Sequence, residues 1–243
     1  VSNTDIDITE HVSYKKSRDV LESTNPLHFP AAFPEVFDGG NSGFDTVLGN
    51  PPWQEATMEQ KEFWSRYIPG LQGMSQTQIE SKTEEIRESR PDLVDQYEQE
   101  LEEQQKRSQF IKNGPFPGAA SGGSAPDSYK AFSWRFRQLL STDGYAGLVL
   151  PRSAFSGSGS EEFRRELLKS SIVTDLTFLK NKRGWVFDNI TYQYTIALIC
   201  YQMRKPSDGD VLPLRGPYPD VDTYIAGINQ GSYEFDVENA INW

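Results

Sequence analysis

Cysteine, histidine, positive charge and long apolar runs are all scarce in this chain of 243 residues. Each scarcity closes a class of function. One cysteine, Cys200, permits no internal disulfide framework and no multi-cysteine zinc site. Two histidines, His11 and His28, build neither a histidine-rich metal centre nor a two-histidine helical motif, so no metal site is expected. The best apolar run, residues 195–201, is strand length, well short of the ~20 residues that span a bilayer. The opening Val-Ser-Asn-Thr-Asp-Ile-Asp has neither a basic n-region nor an apolar h-region, so no signal peptide is expected. These features fit a reducing cytoplasm with no membrane partner. Lys and Arg number 24 against 35 Asp and Glu, a net charge of −11, which excludes nucleic-acid binding through bulk positive potential but leaves room for a local basic face.

Aromatics are plentiful: 14 Phe, 11 Tyr and 5 Trp are more than a disordered chain could leave unburied. The length predicts one large domain, or one domain with an appendage. Acid is concentrated between Gln54 and Gln105, with 13 Asp and Glu against 5 Lys and Arg. That stretch reads as helix over 59–67 and, after Pro69-Gly70, over 75–111 with a break at Pro91. Its apolar residues are sparse (Ile86, Leu93, Val94, Tyr97, Leu101), which predicts a solvated hairpin standing off a core, an acidic helical insertion over 54–112. The Gly, Ser and Pro of 113–127 predict a mobile loop. A helix follows over 128–140, with Tyr129, Phe132, Phe136, Leu139 and Leu140 at helical spacing on one face.

Strands are expected at 44–48, 145–150, 172–179 and 193–202, with a basic turn over 180–185. A helix over 161–169 opens on the capping pattern Ser158-Gly159-Ser160-Glu161. This order predicts an α/β fold. Residues 1–43 read as a lead-in and 44–205 as the main domain. Residues 206–243 read as a Pro/Gly-rich linker (206–219) and the start of a following region.

The most informative segment is Phe44-Asp45-Thr46-Val47-Leu48-Gly49-Asn50-Pro51-Pro52-Trp53, a strand that runs into a turn of fixed chemistry. Asn50 brings a side-chain acceptor and an amide donor. Pro51 and Pro52 have locked φ and no N–H, and Pro52 holds Pro51 extended. The product is a stiff cradle of acceptors with an aromatic at its lip, at the strand end where open α/β sheets bind ligands. Two acceptors beside a flat ring can hold an exocyclic amine. Hydrogen bonds to Asn50 Oδ1 and the Pro51 carbonyl favour a more tetrahedral nitrogen and return its lone pair for attack, and preorganised groups of this kind lower a barrier by several kcal/mol.

The Asn50-Pro51-Pro52-Trp53 turn resembles the catalytic motif of DNA adenine-N6 methyltransferases, in the branch that includes restriction-associated and phage-defence enzymes. Further blocks follow in the expected order. His28-Phe29-Pro30 with Phe33-Pro34-Glu35-Val36-Phe37 resembles that branch's lead-in. Asp127-Ser128-Tyr129-Lys130-Ala131-Phe132 resembles the next helix start, and Gly144-Tyr145-Ala146-Gly147-Leu148-Val149-Leu150-Pro151 the next strand. Val186-Phe187-Asp188-Asn189-Ile190-Thr191 resembles the late loop whose aromatic contacts the flipped base. The resemblance, over about 28–203, implies a partial Rossmann-like class I methyltransferase sheet with an inserted helical arm. It implies S-adenosyl-L-methionine as methyl donor. Its partner would be double-stranded DNA with a flipped adenine, since that amine cannot be reached inside a duplex. In this resemblance Asn50 and Pro51 orient the amine, Pro52 stiffens the turn, Trp53 stacks on one face of the base and Phe187 packs on the other. The family's glycine loop and ribose-gripping acid have no strand–glycine–helix counterpart before Asn50. No cofactor-binding residue is therefore assigned, and the segment is expected to act within a larger restriction-modification or phage-defence protein, with other subunits, and to be inactive alone.

Plainer readings compete. Trp53 could be a core anchor and Phe187 part of an apolar patch with Trp185 and Val186, while Tyr129 and Phe132 read as helix-face core. Ser156-Gly157-Ser158-Gly159-Ser160 lacks a P-loop lysine and reads as a flexible cap. The basic residues Arg164, Arg165, Lys169, Lys180, Lys182 and Arg183 form either a solvated face or contacts to DNA phosphates. Two other functions stand beside methyl transfer to DNA: a non-catalytic DNA-binding or scaffold segment of a defence complex, and methylation of a glutamine nitrogen in protein.

Overall fold

The computed structural model describes residues 10–16, 18, 27–40, 42–56, 60–120, 125–188 and 194–241. The chain forms two compact units, Val1–Gly43 and Phe44–Trp243. In the first, two short helical turns, Phe29–Ala32 and Pro34–Phe37, each carry a proline within their first two residues. His28 caps the former, its Nδ1 accepting from the Ala31 N–H at 3.2 Å, and the Phe29 and Phe33 rings stack at 6.0 Å.

The second unit is α/β. Its strands are β1 (Phe44–Gly49), β2 (Leu140–Pro151), β3 (Ile172–Lys180), β4 (Thr195–Gln202), β5 (Val211–Tyr218) and β6 (Tyr233–Asp236). They form one sheet in the order β1-β2-β4-β3-β5-β6. β1 runs parallel to β2, and β3 to β5, whereas β4 lies antiparallel between β2 and β3. β1, β2, β3 and β5 therefore point the same way and share one carboxyl edge. The expected α/β class is thus present as one mixed sheet of six strands, carrying an inserted helical arm. Helices α4 (Ser128–Leu139) and α5 (Glu161–Ser170) cover it. Their Tyr129, Trp134, Phe163 and Leu167 bury against Leu148, Leu150, Leu176 and Ile199 of the sheet.

The arm consists of α1 (Gln60–Ser65), α2 (Gln76–Ser89) and α3 (Pro91–Asn113). Ser75 and Gln78 form a reciprocal capping box at the start of α2, and Pro91 opens α3 where its missing N–H costs nothing. The expectation of a merely solvated hairpin needs correction. Phe63 and Trp64 of α1, both fully buried, meet edge to face at 4.9 Å, and Trp64 stacks on Tyr97 of α3 at 5.6 Å. The two fully buried aromatics of this small core come from α1, and the sparse apolar residues Leu93 and Tyr97 of α3 pack against them.

Three further expectations change. The 113–127 loop is pinned over its described part: Trp134 Nε1 donates to the Pro117 carbonyl at 2.9 Å, and Glu162 accepts from the Gly118 N–H at 2.9 Å. Gly118 has φ +71, and a Cβ there would lie 2.5 Å from the Phe163 nitrogen, so only glycine fits. Residues 121–124 lie outside the described set. Helix α5 opens without a side-chain cap, because Ser158–Ser160 forms a 3-10 turn instead. Residues 211–218 form β5 rather than linker. Their proline and glycine content hides the strand in the sequence, and Arg215 of β5 pairs with Asp175 of β3.

Candidate functional site

β1 ends under α4. A Cβ at Gly49 would lie 2.7 Å from the Phe136 ring, so a side chain there would push that ring aside. From there the chain enters the turn at the shared carboxyl edge. Asn50 is exposed, Pro51 buried, Pro52 exposed and Trp53 half-buried. Pro51 locks into the protein while Asn50 faces outward. Among the described residues the Asn50 side chain has no hydrogen-bond partner, so its carboxamide remains available to a ligand.

Trp53 is both core anchor and site wall. Its Nε1 donates to the Val149 carbonyl of β2 at 3.2 Å, and its ring packs against the main core. Its far edge meets Phe187, whose ring lies 6.1 Å away with the planes at 88°. The structure thus joins two residues that the sequence keeps far apart. It joins them in direct contact, with no slot between parallel rings.

Phe187 stands on the connection between β3 and β4, which opens on the same edge. That connection carries a residue the sequence reading passed over. Asn181 is fully buried, and its side chain bonds the backbone of Val186 and Phe187. An Asn just past a strand, in Lys180-Asn181-Lys182-Arg183-Gly184, carries the turn-forming chemistry that could have flagged it. The Asn189-Ile190-Thr191 part of the late motif block lies outside the described residues. Lys180, Lys182 and Arg183 are exposed on this connection, and Arg152 is exposed just beyond β2.

A cleft of about 950 Å³ opens beside the turn, with Pro52, Gln54 and Glu55 on its rim. The arm supplies one wall (Arg66, Glu100, Arg107, Phe110) and α4 the other (Ser128, Ala131, Phe132, Arg135). Phe132, read as helix-face core, is 45% exposed and lines this cleft, whereas Tyr129 at 2% is core. The Arg66–Glu100 pair at 2.9 Å joins the turn after α1 to α3. The turn therefore has the cleft at Pro52 and the aromatic pair at Trp53. Asn50, Trp53 and Phe187 do not line the cleft.

Residues 1–94 match the family model described as Eco57I restriction-modification methylase. That stretch includes both the His28 lead-in and the 50–53 turn. No curated protein matches the chain. Among solved structures, the chain is similar to a modification subunit of a putative type I restriction enzyme from Vibrio vulnificus YJ016, with 14% identity, 83% of this chain and 36% of that one covered, and a TM-score of 0.44. It is similar to a type I restriction-modification methyltransferase subunit from Streptococcus thermophilus, with 18% identity, coverage of 56% and 32%, and a TM-score of 0.37. It is also similar to the ATP-dependent Type ISP restriction-modification enzyme LlaBIII bound to DNA, with 15% identity, coverage of 82% and 11%, and a TM-score of 0.36. The chain spans little more than a third of the first of these, and less of the others. Among the described residues, no helix is long and apolar enough to cross a membrane.

Proposed function

We propose, with the restriction-modification methylase match of residues 1–94 as premise, that the chain is part of a DNA methyltransferase acting on the N6 amine of a flipped adenine. The observation that carries this reading is the exposed Asn50 carboxamide on a turn whose Pro51 is buried, beside the Trp53–Phe187 pair. Asn50 Oδ1 and the Pro51 carbonyl accept the two N–H bonds of the amine and hold its lone pair toward the donor. Pro52 keeps both acceptors still, so no reorganisation is needed as the nitrogen becomes tetrahedral. Trp53, anchored through Val149, offers a fixed aromatic surface for the base, and Phe187 closes over it.

S-adenosyl-L-methionine, when bound, supplies an electrophilic methyl group on a sulfonium. The cleft that starts at Pro52 fits it in volume and character: Phe132 and Ala131 offer an apolar wall for a purine, and Glu55 and Glu62 are acceptors for hydroxyl or ammonium groups. Exposed Arg152, Lys180, Lys182 and Arg183 would position phosphates without reading sequence. The setting is a larger restriction-modification or phage-defence protein in the cytoplasm, with other subunits as partners.

The test uses the full-length protein. Labelled methyl incorporation is measured into DNA from a methylation-deficient host and, in parallel, into protein. Asn50→Ala should lower transfer to DNA on the order of 10²-fold or more. Wild-type rates in that variant, or label appearing only in protein, would overturn the assignment.

A further inference from the structure

Phe187 is held by one side chain. Asn181 Oδ1 accepts from the N–H groups of Val186 (3.2 Å) and Phe187 (3.0 Å), and its Nδ2 donates to the Phe187 carbonyl at 2.9 Å. Both backbone polar groups of Phe187 are thereby satisfied from inside the protein, by a residue that is itself 0% exposed. The side chain must accept and donate at once, and it must be short. Aspartate offers no donor, leucine neither function, and glutamine is a methylene too long.

The surrounding connection is tied to the same point. The Asn181 N–H donates to the Tyr194 carbonyl at 2.9 Å, and the Gly184 N–H donates to the Asn181 carbonyl at 3.2 Å. Trp185 Nε1 donates to the Lys180 carbonyl at 2.6 Å. Arg183 sits at φ 63, a left-handed conformation that a non-glycine residue keeps only when its neighbours dictate it. On the other side of the ring pair, Trp53 is anchored to β2 through Val149. A ring anchored through its own side chain and a ring whose backbone is held therefore meet edge to face.

We propose that Asn181 is a positioning residue of the site: it fixes the Phe187 backbone at a set distance from Trp53, so that entry of a base requires only rotation of the Phe187 side chain. The inference rests on the adenine reading above and adds the residue that sets its aromatic wall. The latch matters because a base held by stacking gains only if the loop is ordered before the base arrives. A loop that had to order itself on binding would offset that gain.

The experiment compares wild type, Asn181→Asp, Asn181→Leu, Phe187→Ala and the double variant Asn181→Asp/Phe187→Ala in the full-length protein. Target adenines are first mapped by sequencing DNA methylated by the wild type. Extrusion is then followed by the fluorescence of 2-aminopurine placed at a mapped adenine in a duplex. Asn181→Asp keeps both N–H contacts and loses the donated one. It should lower kcat and the extrusion signal about tenfold, and Asn181→Leu on the order of 10²-fold, with KM for the methyl donor unchanged. The double variant should be no slower than Phe187→Ala, because the two residues act through one ring. Multiplicative losses, or an extrusion signal unchanged in Asn181→Asp, would overturn the proposal. If Asn181→Leu does not fold, the Asp variant and the cycle still decide. A wild type that moves no methyl group to DNA sinks the adenine reading itself, a result distinct from an active wild type indifferent to Asn181.

Discussion

The rings of Trp53 and Phe187 meet edge to face, 6.1 Å between centroids and 88° between planes. This geometry is favourable for two aromatics left alone and unsuitable for enclosing a third. On the proposed function, a base that stacks on Trp53 would have to displace Phe187 from its edge contact. The ring pair thus closes the apolar surface of the site when no base is present.

Phe187→Ala should therefore separate catalysis from stability. Base–aromatic stacking is worth about 1–3 kcal/mol, so methyl transfer to DNA should fall about 10- to 100-fold. The lost edge contact should cost the fold only about 1 kcal/mol. Transfer rate and urea midpoint, measured on the same preparation, check both. A midpoint that collapses while residual activity per folded molecule stays at wild-type level would make Phe187 a packing residue only.

At Gly49, any side chain collides with the Phe136 ring. Gly49→Val should destabilise the fold by about 1–3 kcal/mol as α4 is pushed away. It should also cut methyl transfer more than its unfolded fraction explains, because Asn50 follows directly. Shrinking the obstacle with Phe136→Leu in the Gly49→Val background should recover part of both losses.

Much of this was legible beforehand. The four main strands and the α4 and α5 helices follow from runs of apolar residues and their spacing, and the 50–53 turn from residue types whose geometry is fixed. Asn181 escaped notice because its role lies in contacts to backbone several residues away, which no periodicity records. β5 escaped because Pro213, Gly216 and Pro217 look like breakers in a sequence, while the strand accommodates them. A Cβ at Gly216 would lie 2.3 Å from the Phe178 carbonyl oxygen, a close approach visible only once β3 and β5 are paired. The cleft escaped because it is assembled from the arm and α4, segments with no shared pattern.

Lys130 is a second buried organiser, 1% exposed and donating to the carbonyls of Gly118 (3.0 Å) and Gly159 (2.7 Å) and to Asp127 (2.7 Å). Lys130→Met strips all three acceptors of their donor. It should cost about 3 kcal/mol, the lower end for breaking a buried pair, since Asp127 retains some contact with water. Chemical denaturation measures it, and proteolysis should move to the 113–127 loop that the lysine ties down.

Burial pushes the Tyr201 phenol up from 10.0 to about 12, with Arg137 pulling weakly the other way. The folded chain therefore keeps a proton that the unfolded chain releases near pH 10. Stability from this residue is fully present below about pH 10 and is lost as pH rises toward 12, at up to ~1.4 kcal/mol per pH unit. Among the described residues the hydroxyl has no hydrogen-bond partner, so Tyr201→Phe should be neutral or slightly stabilising at neutral pH. The difference between variant and wild type in urea titrations should widen steadily above pH 10. A flat difference would show that the phenol reaches solvent.

β3 and β4 are neighbours in the sheet and in sequence, paired antiparallel from Ile172↔Gln202 to Lys180↔Thr195. The segment bearing Phe187 is accordingly a hairpin tip whose two stems are already zipped together. The β3–β4 register is set by the stems, so on the proposed function an exchange of the Phe187 side chain changes how a substrate is gripped while the frame that holds Asn50 stays the same.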